Sequence, residues 1–297
     1  MRICVSGGDV IGLIAAHLCR LRGHSVVLVE RNTLGREALS SRFKFLERSQ
    51  EVLALLDGLG VVYAEYTLAT GLLERGSVKT CPRRVSEGIH YAHWRKTRLT
   101  SMPIGSHGLC DPEVTSRRYA LSLDWRDFVR RLSQGVSVQS RLLGSADVVF
   151  ETLPMWESKF VRHETARDAM AVALHLVPVR ARASKDRYMK WDLVYTPHTP
   201  GNAIHRFYHS DDYGYVCEYS GELSQTSVAS DLNYLFPDGW CLDGTVETVH
   251  GKLVSLHDAP QWPAHVCPLG RMAQWDETAS VTRAIRTILE KVPDAHA

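Results

Sequence analysis

The first thirty residues hold a set of groups suited to gripping a dinucleotide. Gly7, Gly8 and Gly12 make a glycine-rich turn, and Glu30 follows at the tip of the next expected strand. A dinucleotide needs backbone N–H groups close to its pyrophosphate, a helix N-terminus aimed at that charge, and a carboxylate for the ribose hydroxyls. The sequence departs from the usual fingerprint at one position. Gly7 and Gly12 stand where the first and third glycines belong, but the second is Asp9. A carboxylate beside a pyrophosphate costs about 1 to 4 kcal/mol of Coulomb energy. Three readings stay open: a coenzyme bound weakly with Asp9 turned away, a different nucleotide, or a relic turn that binds nothing. Arg31 adjoins Glu30 and is counted with the cofactor-side residues.

A second group of residues has acid–base potential. His198 lies in the proline-punctuated loop from Tyr195 to Asn202, and His205 follows it closely. Imidazoles titrate near working pH and suit general acid or base roles, while the commoner fate of such a histidine is a structural hydrogen bond. Tyr195, Tyr208, Tyr213, Tyr215 and Tyr219 cluster nearby, as cleft lining or as ordinary strand packing. The run His90 to Arg98 mixes His, Trp, Arg and Lys. It reads as a solvated loop or as a basic lobe facing an anionic substrate. His90, His93 and His107 have no carboxylate or cysteine at ligand spacing, so no metal is expected. The chain has no GxSxG elbow.

The elements that must position these residues are legible in outline. Arg2 to Ser6 is a buried parallel strand, Val10 to Arg22 a helix, and Ser25 to Val29 a second strand, together one βαβ unit. Helices are expected over Glu51 to Leu59, Asp124 to Leu132 and Ser280 to Val292. Strands are expected over Val61 to Tyr66, Ala146 to Phe150, Ala171 to Arg182, Leu193 to Thr196 and Tyr215 to Tyr219. Hairpins are expected within Gly71 to Thr80 and from Val246 to Ser255. Features of α/β type return at both ends of the chain. The expected cofactor domain therefore takes residues 1–81, 144–170 and 240–297, and the expected substrate domain takes 82–143 and 171–239.

Composition excludes several classes. Of 297 residues, 44% are hydrophobic and 23% charged, and the formal net charge is +2. That balance gives no case for nucleic acid. Seven cysteines, an odd number without CxxC spacing, argue against a disulfide framework and fit a reducing cytoplasm. No apolar run reaches membrane-helix length. The partner expected is a small-molecule substrate, with neither nucleic acid nor membrane, and a homodimer is left open.

The order of the motifs resembles the flavoproteins with two dinucleotide-binding motifs. That group includes amine oxidases, protoporphyrinogen oxidase and UDP-galactopyranose mutase, and the layout is most similar to the mutase. Beyond the opening turn, the resemblance rests on Phe43-Lys44-Phe45-Leu46, on Asp147-Val148-Val149-Phe150 followed by Thr152 and Pro154, and on Thr199-Pro200 before Ile204-His205-Arg206. It closes with Gly270-Arg271, then Trp275 and a helix. The resemblance covers about half of the chain. It implies a Rossmann-like FAD-binding domain of the GR2 type, interrupted by a smaller α+β substrate domain. It implies FAD contacts from Gly270, Arg271 and Trp275, and places Arg206 on the substrate side of the flavin. A guanidinium there can stabilise a reduced flavin or clamp an anion at two points, although a surface ion pair is the plainer role for either arginine. The mutase has a long helical domain between the equivalents of Pro82 and Asp147, and this chain is too short there for a full nucleotide-sugar site.

The function implied is an FAD-dependent, oxidoreductase-like enzyme acting on a small polar or anionic substrate. The alternatives are a redox-neutral flavin-dependent isomerase acting on a sugar or nucleotide-type substrate, and a degenerate nucleotide-binding protein without catalysis.

Overall fold

The computed structural model describes residues 1–36, 46–74, 76–80, 117–141, 144–154, 157–160, 171–181, 185–196, 199–200, 204–210, 214–220, 223–253, 261–270, 273 and 280–295. Its elements run β1 (Arg2–Ser6), α1 (Val10–Leu21), β2 (Ser25–Val29), β3 (Leu46–Glu47), α2 (Gln50–Leu59), β4 (Tyr63–Glu74), β5 (Ser77–Thr80), β6 (Arg117–Leu123), α3 (Trp125–Ser133), β7 (Ser137–Gln139) and β8 (Val148–Glu151). They continue with β9 (Ala171–Ala181), α4 (Lys185–Tyr188), β10 (Leu193–Tyr195), β11 (Ile204–Ser210), β12 (Gly214–Ser220), α5 (Gln225–Leu235), β13 (Trp240–Leu242), β14 (Glu247–Leu253), β15 (Val266–Pro268) and α6 (Val281–Lys291).

The chain divides into two units. The first comprises Met1–Tyr66, Ala120–Met170 and Ser255–Ala297, and the second comprises Thr67–Tyr119 and Ala171–Val254. Three segments fall opposite to expectation. Residues 67–81 belong with the second unit, because this end of β4 pairs in parallel with β10 and β5 pairs with β4. Residues 120–143 belong with the glycine turn, because β7 pairs in parallel with β2 and α3 packs on α1. Residues 240–254 belong with the second unit, because β13 and β14 both pair with β9.

The first unit is Rossmann-like. Its five strands are all parallel, in the order β15-β8-β1-β2-β7. A strand buried on both faces reads as a continuous apolar run, and Ile3, Cys4 and Val5 of β1 are all buried. Four helices are started by side-chain caps: Asp9 for α1, Ser49 for α2, Asp124 for α3 and Ser280 for α6. Gly60 ends α2 at φ +65°, a left-handed cap that glycine adopts without a Cβ clash. One core joins Leu13 and Ile14 of α1 to Leu56, Phe128, Ile285 and Ile288. Burying a side chain such as Phe128 contributes about 1.5 to 3 kcal/mol. The end of the chain is latched to the beginning. Arg22 Nη1 donates to the carbonyls of Leu289 (2.7 Å) and Val292, and Ala295 N–H donates to the carbonyl of Arg22 (2.9 Å).

The second unit is α+β. Its strands run β13-β9-β12-β11-β10-β4, antiparallel except where β10 meets β4, with β14 also along β9 and β5 along β4. The hairpin expected over Val246 to Ser255 is instead the single strand β14, whose register shifts between His250 and Lys252. Gly251 supplies the residue at which such a bulge bends easily. On one sheet face Tyr188, Phe207, Tyr215 and Phe236 pack mostly edge to face and are closed by Leu232 and Leu235 of α5. Among the described residues no helix is long and apolar enough to cross a membrane.

Candidate functional site

The geometry of the parallel sheet selects a position before any ligand is considered. From β1 the chain crosses by α1 to β2 on one side, while β8 lies on the other side of β1. Ligands of open α/β sheets bind at such a reversal, outside the carboxyl ends of the strands. Ser6, Val29 and Glu151 end β1, β2 and β8 in register, and the glycine turn begins at the next residue.

The glycines of this turn are fixed by close approaches. Gly7 has φ +102°, and a Cβ there would lie 2.4 Å from Thr152 Oγ1. A Cβ on Gly12 would lie 2.0 Å from the Gly7 carbonyl, and one on Gly8 would lie 2.8 Å from both Glu30 Cγ and Leu34 Cδ2. The turn is also bonded on all sides. Gly7 N–H donates to Val29 O (3.0 Å), Gly35 N–H donates to Gly8 O (2.7 Å), and Thr152 Oγ1 donates to Ser6 O (2.9 Å). Thr152 carries the family-like strand pattern in the sequence but was not among the expected site residues. Its hydroxyl anchors the turn from 145 residues away.

Two carboxylates flank the turn. Glu30 Oε2 accepts from Gly8 N–H at 2.7 Å, and Oε1 accepts from the N–H groups of Arg31 and Asn32 at 2.7 Å each. Asp9 sits in extended backbone (φ −71°, ψ −178°) and is the N-cap of α1. Its Oδ1 accepts from Gly12 N–H at 2.9 Å, and its carbonyl accepts from Leu13 N–H at 2.9 Å. A capping carboxylate stabilises a helix by about 1 kcal/mol, and its charge suits the positive end of the helix dipole.

The β8 side contributes a buried acid that sequence reasoning missed. Glu151 is fully buried and accepts from Ser158 Oγ (2.8 Å) and Leu153 N–H (3.2 Å). Burial pushes its carboxyl above the ordinary 4.5, against the opposing pull of the hydrogen bonds from Ser158 and Ser6. The carbonyl of Glu151 accepts from Leu269 N–H (2.8 Å), which brings Gly270 (φ +82°) against Ile11 in the first turn of α1. The structure thus brings together Gly7, Gly8, Asp9, Gly12, Glu30 and Gly270. Arg31 is exposed beside Glu30. Arg271 and Trp275 lie outside the described residues.

The expected substrate-side residues belong to the second unit. Arg206 on β11 faces Glu218 on β12 in a two-point pair, Nε to Oε2 at 2.5 Å and Nη2 to Oε1 at 3.0 Å. Glu218 is 4% exposed, and buried Tyr208 and Val216 are the next opposed pair on the same sheet face. His205 is the extra residue where the β11–β12 register shifts, and its side chain lies outside the described residues. His198, Tyr213, and the runs Phe43 to Phe45 and His90 to Arg98, with His107, also lie outside them. Among the described residues no group of three His, Cys, Asp or Glu could hold a metal ion. Cys4, Cys19, Cys217, Cys241 and Cys267 are free thiols.

The chain matches no known family profile and no curated sequence. Its fold is that of solved oxidoreductases. An oxidoreductase from Methanosarcina mazei aligns with TM-score 0.63 at 12% identity, over 98% of this chain and 100% of that one. A putrescine oxidase triple mutant from a redesign of cofactor binding aligns with TM-score 0.61 at 12% identity, over 98% of both chains. Glycine oxidase from Bacillus cereus aligns with TM-score 0.52 at 13% identity, over 99% of this chain and 96% of that one. At such identities the likeness carries the fold alone.

Proposed function

We propose that the chain is an FAD-dependent enzyme of the oxidoreductase type that acts on a small polar or anionic substrate. The observation that carries this reading is the glycine turn at the carboxyl end of β1, where Gly7, Gly8 and Gly12 leave no room for a Cβ and Glu30 stands one strand away. The fold shared with oxidases supports it.

These residues fit the coenzyme in kind. The first turn of a helix leaves N–H groups without intrahelical acceptors, and those of Val10 and Ile11 suit a diphosphate. Glu30 Oε1 is filled by two N–H donors, whereas Oε2 holds one and has a lone pair left for a ribose hydroxyl. Gly270, at φ +82°, takes the left-handed turn that sets the backbone beside Ile11 in the first turn of α1. FAD, when bound, supplies the hydride chemistry, and the protein supplies orientation and electrostatics. Arg206, held at two points by Glu218, is the fixed guanidinium we assign to the substrate side, and His198 and His205 are the acid–base groups we assign to the reaction.

The test is a visible spectrum of the purified protein, followed by mass analysis of what denaturation releases. Flavin absorbance and released FAD are expected. A protein that carries no flavin and binds none on titration removes the reading. Substrate-dependent uptake of oxygen or oxidation of NAD(P)H is then expected. Turnover only after dithionite reduction, with no net electron consumption, would instead mark a redox-neutral isomerase.

A further inference from the structure

We infer that Asp9 makes the coenzyme exchangeable, because its carboxylate occupies the anion position at the start of α1 and repels the diphosphate that belongs there. The inference rests on the FAD reading above.

The turn has few N–H groups to offer. Gly7 N–H is taken by Val29 O, Gly8 N–H by Glu30 Oε2 and Gly12 N–H by Asp9 Oδ1. Each of the three glycines therefore already serves a protein acceptor. A helix start left open by glycine would present the Gly12 donor to a phosphate oxygen; here an internal carboxylate holds it. Asp9 is thus a resident competitor for the Gly12 donor, next to the N–H groups of Val10 and Ile11. It also adds a fixed negative charge, and Glu30 adds a second on the other side of Gly8. A diphosphate must either displace the cap or sit against it.

Charge and capping can be separated by substitution. Asp9→Asn keeps an acceptor for Gly12 N–H and is an equally good cap, but it is neutral. Asp9→Gly removes both. We expect fluorescence titration of flavin-free protein to show FAD binding about tenfold tighter or more in Asp9→Asn than in wild type, with riboflavin binding unchanged because it lacks the diphosphate. The difference for FAD should shrink at high salt, which screens the repulsion. Flavin-free Asp9→Asn should melt with the wild type, so that a tighter complex reflects the charge and not a stiffer helix. Asp9→Gly should also bind FAD more tightly.

Equal or weaker FAD binding by both variants, with the wild type binding well, overturns the inference and leaves the FAD reading standing. Equal tightening of FAD and riboflavin also overturns it, since the effect would not act on the diphosphate. Failure of all three proteins to bind any flavin overturns both.

Discussion

The glycine turn of the first unit and the Arg206–Glu218 face of the second are built from different materials. The turn is made of backbone. Its shape depends on missing Cβ atoms at Gly7, Gly8 and Gly12 and on carbonyl and N–H groups that bond to Val29, Thr152 and Gly35. The Arg206–Glu218 face is made of side chains on neighbouring strands, held by a charge pair with one partner almost wholly buried. A backbone site tolerates no added atom. A side-chain site tolerates replacement if both partners change together, because an unpaired buried charge is what costs most.

The comparison can be broken in three ways. The largest effect should come from Gly12→Ala, whose new methyl would meet the Gly7 carbonyl at 2.0 Å. Chemical denaturation should show a loss of about 3 kcal/mol, the upper part of the usual range for overpacking. A variant as stable as wild type would mean that the turn can open, and the backbone description would fail. Next, Arg206→Met should cost about 2 kcal/mol, discounted from the fully buried case because the Arg206 side chain is 27% exposed. Adding Glu218→Leu should recover most of that loss in the same measurement. If the double variant stays as unstable as the single one, the pair is not what holds this face.

The smallest effect concerns Glu151. Its carboxyl lies above the ordinary 4.5 in the folded protein because burial disfavours the charge. Between 4.5 and its folded value the folded state holds a proton that the unfolded state has released, so the group's contribution to stability is complete below 4.5 and falls across that window. The contribution is lost as pH rises through the folded value, with a slope of at most about 1.4 kcal/mol per pH unit. Melting curves from pH 4 upward, compared with those of Glu151→Gln, should show the wild type losing ground to the variant. Parallel curves would show that the hydrogen bonds from Ser158 and Ser6 cancel the burial.

Much of the first unit was legible because its signals are local. Glycines, helical periodicity and short apolar runs mark β1, α1 and β2 within one stretch of chain, and Ser49, Asp124 and Ser280 mark helix starts by their chemistry. Asp9 was visible too, but as an intruder in a glycine pattern; that it is also a good N-cap is a second signal in the same residue. What stayed hidden depends on distant partners. The apolar face of α3 suits any core, and only packing on α1 assigns it to the first unit. The Thr152 hydroxyl matters because of where β8 places it. β11 escaped notice because Arg206 and Phe207 are both accommodated, on opposite faces, so its apolar residues do not alternate cleanly with its polar ones.

The latch between Arg22 and the last helix has a consequence for synthesis. Ala284, Ile285, Ile288 and Val292 complete the core that α1 begins, and Arg22 reaches the carbonyls of Leu289 and Val292. A ribosome makes α1 before α6, with the whole second unit emerging between them. Throughout that interval the nascent chain carries an apolar helix face whose partner does not yet exist.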